Sequence, residues 1–584
     1  MKKIYKLPLL ALLTFVTQFA LFAQNPITQA KFTADPNPFV WNSRLYVYCS
    51  YDNNNPSTSG YDIEFYTLLS TTDMVNWTDH GEVFSVRRDM AGTNYGQAYA
   101  PGAAVKNGKV YLYIPNGGSG IGVATATRPE GPFTGGKTMI TGNASNNTNV
   151  PWLFDPCGFV DSDGQGYVYF GGGPADGNPG PGQNLRVAKL NSDMMSCVFP
   201  ATTIQGSTRS FEAAYMHKHN GKYYFSYSQN FTNGSADIAY MMGDSPTGPF
   251  TFKGVIVPNG AKMGYGNNHA GVVEYQNKSY VFYHDRRLRS ARGISEGEYR
   301  SVSVDELKYN SDGTIIQSSL TDAGPSQIEY FNPYDTILAT TMNRQSGSIR
   351  TSLCSAPNPG TITNKTANSP GTAGDRNVML VSISNNSWVR LKGVDFGSKG
   401  ATKFIVKAAS NTSAGGTIEI RTGSNTGTLI GTCTISSTGG WSTWKDFECT
   451  LSNLTGVKDY VYLVFKTSGS GEPFRVSAYK FVESGAQTYT LTTALSPSAG
   501  GSITQSVSGT SFAQGATVTL TAVAKTGWVF DGWSGDASGM SASTTLTMNA
   551  NKSVTAKFKL TGTGDENLIK DGNFPGSSLT SNWT

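Results

Sequence analysis

The hydrophobic pattern of the first half of the chain is a refrain in which a polar turn is followed by an aromatic strand. The refrain occurs five times between residues 32 and 330, at residues 41–46, 107–113, 163–169, 220–225 and 276–283. Short strands separated by Gly and Asn turns are typical of all-β proteins. The spacing of about 55 to 65 residues is close to that of β-propeller blades. We therefore expect an all-β protein that begins with a five-bladed β-propeller.

The pattern changes after residue 333. Strand-like runs separated by Gly turns predict a β-sandwich of the jelly-roll kind, and shorter alternating strands then predict a small β-repeat domain. The last stretch looks like the first strand of another sandwich. We predict a propeller, a sandwich, a β-repeat domain, and the start of a truncated further domain or a disordered tail, at residues 24–333, 334–484, 485–560 and 561–584.

Residues 1–23 have the pattern of a secretory signal peptide. Lys2, Lys3 and Lys6 precede a mostly apolar stretch that ends at Phe22, and Ala23 offers a small residue for cleavage. A membrane anchor is the alternative, but the apolar run of about 16 residues is shorter than the roughly 20 that a spanning helix needs. We expect a secreted or periplasmic protein with no membrane span in the mature chain.

Composition fits an exported protein and gives no sign of nucleic-acid binding. Charged residues make up 15% of the chain, the net charge is +5, and no basic run occurs, so nucleic acid is not an expected partner. Export permits disulfides, and Cys433 and Cys449, which flank a hairpin-like stretch, are the best candidate pair. The alternative is buried thiols that act as small apolar side chains, which we favour for Cys49, Cys157 and Cys197.

Three acidic residues stand in matching settings before refrain strands. Asp35 and Asp155 each precede a proline, and Glu212 lies between Phe211 and Ala213. Residues that enter the strands of different propeller blades converge on the central channel. An Asp-Pro pair alone is more often a loop-starting turn. The three residues together favour a catalytic site, because glycosidases work with paired carboxyl groups.

The ordered phrases of this region resemble the family 43 glycoside hydrolases, which are five-bladed propellers. The matching phrases start, in the order of the family, at Ala34, Ser70, Ala100, Phe154, Phe211 and Gly266. The resemblance implies that Asp35 is the general base that activates water and Glu212 the general acid. It implies that Asp155 orients that acid and raises its pKa. An inverting mechanism follows, in which the two carboxyl groups stand about 6.5 to 9.5 Å apart.

The same resemblance assigns a histidine and an arginine to the site. His269 would lie in the channel and help to hold a calcium or other ion through waters; the alternative is a hydrogen-bonded structural residue. Arg300 would reach toward the sugar and Asp155, and the alternative is a solvated edge-strand arginine. The chemistry itself requires no cofactor. Aromatic side chains on rim loops are expected to contact the sugar, namely Phe39, Tyr99 and Trp152.

The phrases around Glu212 and His269 look most like those of the arabinoxylan arabinofuranohydrolase branch of this family. This implies removal of α-L-arabinofuranosyl side groups from xylan, with a hemicellulose polysaccharide as the partner. A β-xylosidase or an arabinanase of the same family remains an alternative. A non-catalytic glycan-binding protein is another.

The two later regions resemble accessory modules. The sandwich resembles a family 6 carbohydrate-binding module, in which the first Trp of a Gly-Gly-Trp phrase, here Trp441, stacks on a sugar. Packing at the sandwich edge is the alternative for Trp441. The chain departs from that family at Ser477, where an Asn is usual, and at residues 339–341, where a Glu usually helps to bind calcium. The β-repeat region resembles the internalin-type B-repeat, a spacer or adhesion element.

Overall fold

The described residues of the computed structural model are almost entirely β-strand and turn. They are residues 24–52, 63, 65–90, 92–93, 95–142, 150–173, 183–230, 236–260, 267–295, 297–353, 378–467, 469, 471–485 and 488–561. The helices described there are α1 (Val86–Asp89) and α2 (Arg287–Ala291), and none is long and apolar enough to cross a membrane. The all-β prediction is confirmed. The predicted signal peptide and residues 562–584 of the predicted tail lie outside the described residues.

In the described part of residues 24–316, the strands form five antiparallel sheets, each built from four consecutive strands. The first sheet holds β1 (Thr33–Trp41), β2 (Arg44–Tyr51), β3 (Phe65–Thr71) and β4 (Trp77–Ser85). The second holds β5 (Gly102–Lys106), β6 (Lys109–Pro115), β7 (Gly120–Ala126) and β8 (Thr134–Thr141). The third holds β9 (Cys157–Val160), β10 (Gly166–Gly171), β11 (Leu185–Leu190) and β12 (Cys197–Thr203).

The fourth and fifth sheets repeat this plan. The fourth holds β13 (Ser210–His219), β14 (Lys222–Gln229), β15 (Ile238–Gly243) and β16 (Phe250–Val257). The fifth holds β17 (Ala270–Tyr275), β18 (Lys278–Asp285), β19 (Ser301–Tyr309) and β20 (Ile315–Ile316). Each refrain of the sequence spans the hairpin turn between the first and second strands of one sheet. The refrain strand is therefore the second strand, and the three acidic residues precede or begin the first.

The first strands of the five sheets lie side by side. β1 contacts β5, β5 contacts β9, β9 contacts β13, β13 contacts β17, and β17 contacts β1. Separate hydrophobic clusters fill the spaces between successive sheets, because each sheet is apolar on both faces. Residues at the starts of the first strands are thereby brought together although up to about 230 residues separate them in the chain.

The next region folds as a β-sandwich around one core that includes Phe404, Ile418, Leu463 and Phe481. The strands are β21 (Ile337–Leu338), β22 (Thr341–Met342), β23 (Arg344–Gln345), β24 (Arg350–Leu353), β25 (Val378–Val381), β26 (Trp388–Asp395), β27 (Ala401–Ala409), β28 (Gly416–Thr422), β29 (Thr428–Ile435), β30 (Trp444–Leu454), β31 (Val457–Lys466) and β32 (Arg475–Glu483). One sheet has the order β24-β25-β32-β27-β30 with β21 beside β32, and the other has the order β23-β26-β31-β28-β29.

The cysteines of this region differ from the expected disulfide. Cys433 on β29 and Cys449 on β30 are free thiols, although they interact with each other. The hydrogen bond between them raises the pKa of Cys433 and lowers that of Cys449. Cys49 and Cys157 are buried thiols, whereas Cys197 is half-buried.

The sandwich packs directly on the first sheet, and the two form one compact unit up to Ser484. β22 extends the first sheet by pairing with β4. The Asn76 side chain hydrogen-bonds both backbone groups of Lys392, at 2.8 Å and 2.9 Å. Asp73 fixes the turn that carries Asn76, because its carboxylate accepts the backbone N–H groups of Val75 and Asn76. The phrase at residues 70–77 is thus a structural device for this contact.

The described residues between 485 and 561 form a second compact unit. Its described strands are β33 (Thr488–Ser496), β34 (Gly501–Gln505), β35 (Ser511–Ala513), β36 (Thr517–Ala524), β37 (Trp528–Gly535), β38 (Ser543–Thr547) and β39 (Lys552–Leu560). They make two sheets, β35-β33-β39-β37 and β34-β36-β38. Trp533 and Phe558 lie in the core of this unit. The predicted domain bounds stay predictions.

Candidate active site

A cavity of about 370 Å³ opens where the first strands of the five sheets begin. Each sheet contributes a residue at the start of its first strand. The five are Asp35 at β1, Tyr99 before β5, Asp155 before β9, Glu212 on β13 and His269 before β17. The structure therefore brings the three predicted acidic residues into one cavity.

The backbone at these entries departs from regular strand geometry. Asp35 has a φ of 50°, Asp155 of 47°, Tyr99 of 41° and Ala213, next to Glu212, of 62°. β1 is irregular between Ala34 and Asn37, and β13 is irregular around Glu212. Positive φ is costly for residues other than glycine, and such strain and bulges concentrate at functional sites because they re-aim side chains.

Arg300 is the cation at the centre of the cavity's charge network. Its Nη1 donates to Oδ1 of Asp35 at 2.8 Å. Its Nε and Nη2 donate to the two oxygens of Asp52 at 3.0 Å and 2.7 Å, and its backbone N–H donates to Asp52 at 2.8 Å. Arg300 and Asp52 are each 1% exposed, so this fork holds the guanidinium in one orientation. Arg300 thus contacts Asp35, and its positive charge also acts on Asp155, where it partly offsets the rise in pKa that burial causes.

Asp35 is held as a carboxylate. Burial alone would raise its pKa, but the positive charge of Arg300, the contact with His284 and the proximity of His269 together outweigh burial, and the pKa of Asp35 is well below its usual value. His284 also holds Asp35 in place, through the backbone N–H group of Asp35. Its Nε2 lies 3.0 Å from the carbonyl oxygen of Asn267, so a proton on Nε2 leaves Nδ1 free to accept the Asp35 N–H at 3.2 Å.

Glu212 is in the opposite state. Burial raises the pKa of Glu212 well above its usual value, and the charges of Asp155 and Asp35 raise it further. Asp155 also fixes the backbone beside it, because its Oδ2 accepts the N–H of Ala213 at 2.9 Å. Burial and the charge of Asp35 raise the pKa of Asp155 itself to about 7. The cavity thus pairs an ionised carboxylate with a protonated one.

His269 stands between the carboxyl groups as a neutral ring. Its Nδ1 is 3.9 Å from Oδ1 of Asp35 and 3.9 Å from Oδ2 of Asp155, and burial lowers its pKa to about 4. Among the described residues, no group of three or more His, Cys, Asp or Glu side chains is arranged to hold a metal ion. Both neighbouring carboxylates are engaged, by Arg300 and by Ala213, which argues against direct coordination here. The channel calcium stays a prediction.

Comparisons with known proteins agree with this chemistry. Residues 23–315 match the glycosyl hydrolases family 43. This chain belongs to that family. Membership of this family makes the chain a glycoside hydrolase. Residues 358–483 match the carbohydrate binding module (family 6), and residues 491–562 match the divergent InlB B-repeat domain.

The similarity of this family 43 protein to known relatives extends well beyond the first five sheets. It is 38% identical to an arabinoxylan arabinofuranohydrolase of Paenibacillus polymyxa, over 83% of this chain and 78% of that one. It is also 38% identical to one of Bacillus subtilis (strain 168), over 79% of this chain and 92% of that one. A crystal structure of a Bacillus subtilis arabinoxylan arabinofuranohydrolase in complex with cellotetraose superposes with a TM-score of 0.71, at 37% identity, covering 79% of this chain and 98% of that one.

Aromatic side chains form one wall of the family 43 cavity. The Trp152 ring meets the rings of Phe154 and Phe211 edge to face, each with centroids 5.4 Å apart, and Tyr99 also lines the cavity. These contacts leave a rigid apolar surface beside the carboxyl groups, suited to the face of a sugar ring.

One expected sugar contact of the cavity, Phe39, lies outside it. Phe39 is 8% exposed and stacks on Tyr46 and Tyr48 in the hydrophobic core, so the structure gives it a packing position instead of a cavity position. The cause is its place on β1, past the entry and between the first two sheets. Trp441 lies in the turn between β29 and β30 of the sandwich, where the guanidinium of Arg475 covers its ring at 4.6 Å.

Sequence reasoning missed three supporting residues of the family 43 site, namely Asp52, His284 and Asn267. Asp52 directly follows β2 and His284 lies within β18, which the refrain marks only as aromatic strands. Their roles depend on contacts across about 250 positions of sequence, such as the bond between Arg300 and Asp52. Asn267 begins the Asn267-Asn268-His269 phrase, and that phrase was the available signal.

Proposed function

We propose that this family 43 protein is an inverting hydrolase that removes α-L-arabinofuranosyl side groups from arabinoxylan. The observation that carries the proposal is the presence of an ionised Asp35 and a protonated Glu212 in one cavity. A direct displacement needs these two states at once. The names of the relatives from Paenibacillus polymyxa and Bacillus subtilis support the choice of substrate.

We further propose that the five sheets are the blades of a five-bladed propeller. The side-by-side order of β1, β5, β9, β13 and β17 supports this, as do the hydrophobic clusters between successive sheets. In that arrangement the cavity is the mouth of the central channel.

The reaction we propose takes place in one step. Asp35 accepts a proton from a water as that water attacks the anomeric carbon of the arabinofuranosyl group. Glu212 donates its proton to the glycosidic oxygen as the bond to the xylan breaks. Arabinose of inverted configuration and a free xylan hydroxyl result.

The surrounding residues prepare this step. Arg300 keeps Asp35 ionised, and its own position depends on the Asp52 fork. Burial and the charge of Asp155 raise the pKa of Glu212, and Asp155 orients Glu212 through Ala213. These are roles of positioning and charge, in line with the tuning of two carboxyl groups in opposite directions.

The cavity favours release of a single terminal sugar. Its volume of about 370 Å³ is near the lower end of the roughly 300 to 1,000 Å³ that small-molecule sites occupy. The aromatic wall of Trp152, Phe154 and Phe211 closes one side. A pentosyl side group fits this description better than the middle of a polysaccharide chain does.

Three further assignments belong to the same proposal. Trp441 would contact the polysaccharide at the sandwich, with Arg475 holding the ring in place. Residues 1–23 would direct export. A calcium ion near His269 would serve the fold of the channel and take no part in the chemistry.

The experiment is product analysis on three substrates: wheat arabinoxylan, linear arabinan and xylo-oligosaccharides. The wild type should release free arabinose from arabinoxylan alone, and Glu212→Gln, which keeps the size of the side chain, should release almost none. Release of xylose would point to a β-xylosidase. Arabino-oligosaccharides from linear arabinan would point to an arabinanase, and either result would overturn the proposal.

A further inference from the structure

A second cavity, of about 330 Å³, lies between the first sheet and the sandwich. It is lined at one side by the start of β1 and the ends of the first-sheet strands, including Phe32, Tyr51 and Glu82. Arg350 and Leu353 of β24 line it from the sandwich. Thr33 pairs with Tyr51 in the β1–β2 register, so this cavity lies at the same end of the first sheet as Asp35.

Two of its charged side chains are already neutralised. Lys31 pairs with Asp79 at 2.9 Å. Glu82 pairs with Arg88 at 2.8 Å. Neither therefore supplies a free charge to a ligand or to the remaining cations of the cavity.

Arg292 and Arg350 differ from these, because each donates to a backbone carbonyl rather than to a carboxylate. Arg292, directly after α2, donates from Nη2 to the carbonyl of Gln29 at 2.6 Å. Arg350 donates from Nη1 to the carbonyl of Ile349 at 2.9 Å. Within the described ranges of the chain, neither guanidinium forms an ion pair with an acidic side chain. Burial and the nearby charge of Arg350 lower the pKa of Arg292 to about 10.

The Arg292 guanidinium is also fixed in orientation. Its Cζ lies 4.7 Å above the ring centroid of Phe32, and Phe32 in turn contacts the ring of Tyr299 at 5.0 Å. When a guanidinium stacks on an aromatic ring, its N–H groups point outward in the guanidinium plane. From there they can donate two parallel hydrogen bonds to a carboxylate. Arg292 and Arg350 are two positive charges in one half-buried cavity, so they repel each other. An anion between them would relieve this repulsion.

We propose that this cavity binds the carboxylate of a uronic acid, with Arg292 and Arg350 on either side of it. Fork-shaped donors suit a planar carboxylate, and the volume accommodates one sugar ring beside Phe32 and Tyr51. Because one arginine follows α2 and the other belongs to β24, the ligand would also join the first sheet to the sandwich. The inference rests on the proposed function only for the source of the ligand, an acidic side group of the same polysaccharide.

The test is calorimetric titration of the full chain with D-glucuronate, with D-glucose as the neutral counterpart and inorganic phosphate as a simple anion. Wild type should bind glucuronate and not glucose. Arg350→Gln and Arg292→Gln should each weaken glucuronate binding about tenfold, which corresponds to about 1.4 kcal/mol. The matched control is Lys308→Gln, which removes an exposed charge on β19, away from the cavity, and should leave binding unchanged.

Three results would overturn the proposal. They are no binding of glucuronate, equal binding of glucose, and unchanged binding in both arginine variants with unaltered thermal unfolding. Phosphate binding that glucuronate does not displace would show a site for inorganic anions and would also overturn it. If Arg292→Gln loses stability, Arg350→Gln decides alone.

A separate readout keeps the two proposals apart. Arabinose release from neutral arabinoxylan should be unchanged in Arg350→Gln. A wild type that binds glucuronate but releases no arabinose would refute the proposed function and leave the carboxylate site standing. A wild type that releases arabinose without binding glucuronate would do the reverse.

Discussion

The two cavities at this end of the first sheet have opposite charge arrangements. In the family 43 cavity, Arg300 lies between Asp35 and Asp52, and the distances from its guanidinium nitrogens to their carboxylate oxygens are 2.7 to 3.0 Å. In the cavity beside the sandwich, Arg292 and Arg350 have no carboxylate partner among the described residues. An arginine that is paired with carboxylates shifts the pKa of those carboxylates. An arginine without a carboxylate partner can instead bind an anionic ligand.

The same residue type is therefore tuned by its surroundings. Arg300 is 1% exposed and is charged because two carboxylates replace its lost water. Arg292 is half-buried, with an aromatic ring and a carbonyl group as partners, so its pKa falls to about 10. Removing a charge should change catalysis in the first cavity and binding in the second.

The largest effect should come from neutralising the base. Asp35→Asn keeps the size of the side chain but cannot accept a proton, so kcat on arabinoxylan should fall by about 100- to 10,000-fold. Arabinose release measures this, with far-ultraviolet circular dichroism as the check that the variant folds. A variant that folds normally and keeps near wild-type kcat would contradict the assignment of Asp35.

Replacing Arg300 and Arg292 one at a time tests whether the two cavities differ in the way described. Arg300→Gln removes the cation that holds the pKa of Asp35 down, so that pKa rises and the acidic limb of the kcat/KM profile moves to higher pH. The unpaired Asp52 should also cost about 3 to 5 kcal/mol of unfolding free energy. Arg292→Gln is the matched control and should leave the pH profile in place. Equal shifts in both variants would show that the two cavities do not differ in this respect.

Asp155 should affect the alkaline limb of the pH profile of kcat/KM. In Asp155→Asn the negative charge beside Glu212 is lost. Glu212 then ionises more easily, and the pKa of Glu212 falls. The alkaline limb of kcat/KM should therefore move to lower pH. Asp244→Asn, which neutralises an exposed carboxylate on the fourth sheet, serves as the control. An alkaline limb that stays fixed would mean that the charge of Asp155 does not set the pKa of Glu212.

The smallest effect should come from giving the second cavity its own carboxylate. Arg350→Glu places an acid next to Arg292, so the repulsion between two cations becomes an attraction. We expect a gain of about 0.5 to 1 kcal/mol in unfolding free energy, because the pair is partly exposed, together with loss of glucuronate binding. Chemical denaturation measures the first. Destabilisation of a properly folded variant would argue that the arginines are not close enough to compete for one anion.

The sequence predicts the repeated parts of this molecule better than its supporting contacts. Each of the five refrains spans a hairpin, because a polar turn between two apolar strands is a local signal. The acidic residues could be found since each is tied to such a repeat. Asp52 could not, because its role depends on Arg300, which lies 248 positions away.

The directions of side chains and the identities of charge partners also could not be predicted from the sequence. Phe39 was expected to contact sugar, but four residues beyond Asp35 the strand already passes between two sheets, and its ring packs there. The contact between Arg300 and Asp35 was not expected. Both outcomes depend on how first strands from different sheets meet, which no local pattern specifies.

The central claim is that Glu212 donates a proton to the leaving oxygen while Asp35 activates water. The most direct measurement compares kcat for Glu212→Gln on arabinoxylan and on an aryl α-L-arabinofuranoside whose leaving group is acidic enough to depart without a proton. We expect a loss of about 100- to 10,000-fold on arabinoxylan and a much smaller loss on the aryl substrate. Asp35→Asn should lose activity on both. Equal losses for Glu212→Gln on the two substrates would contradict its role as the acid.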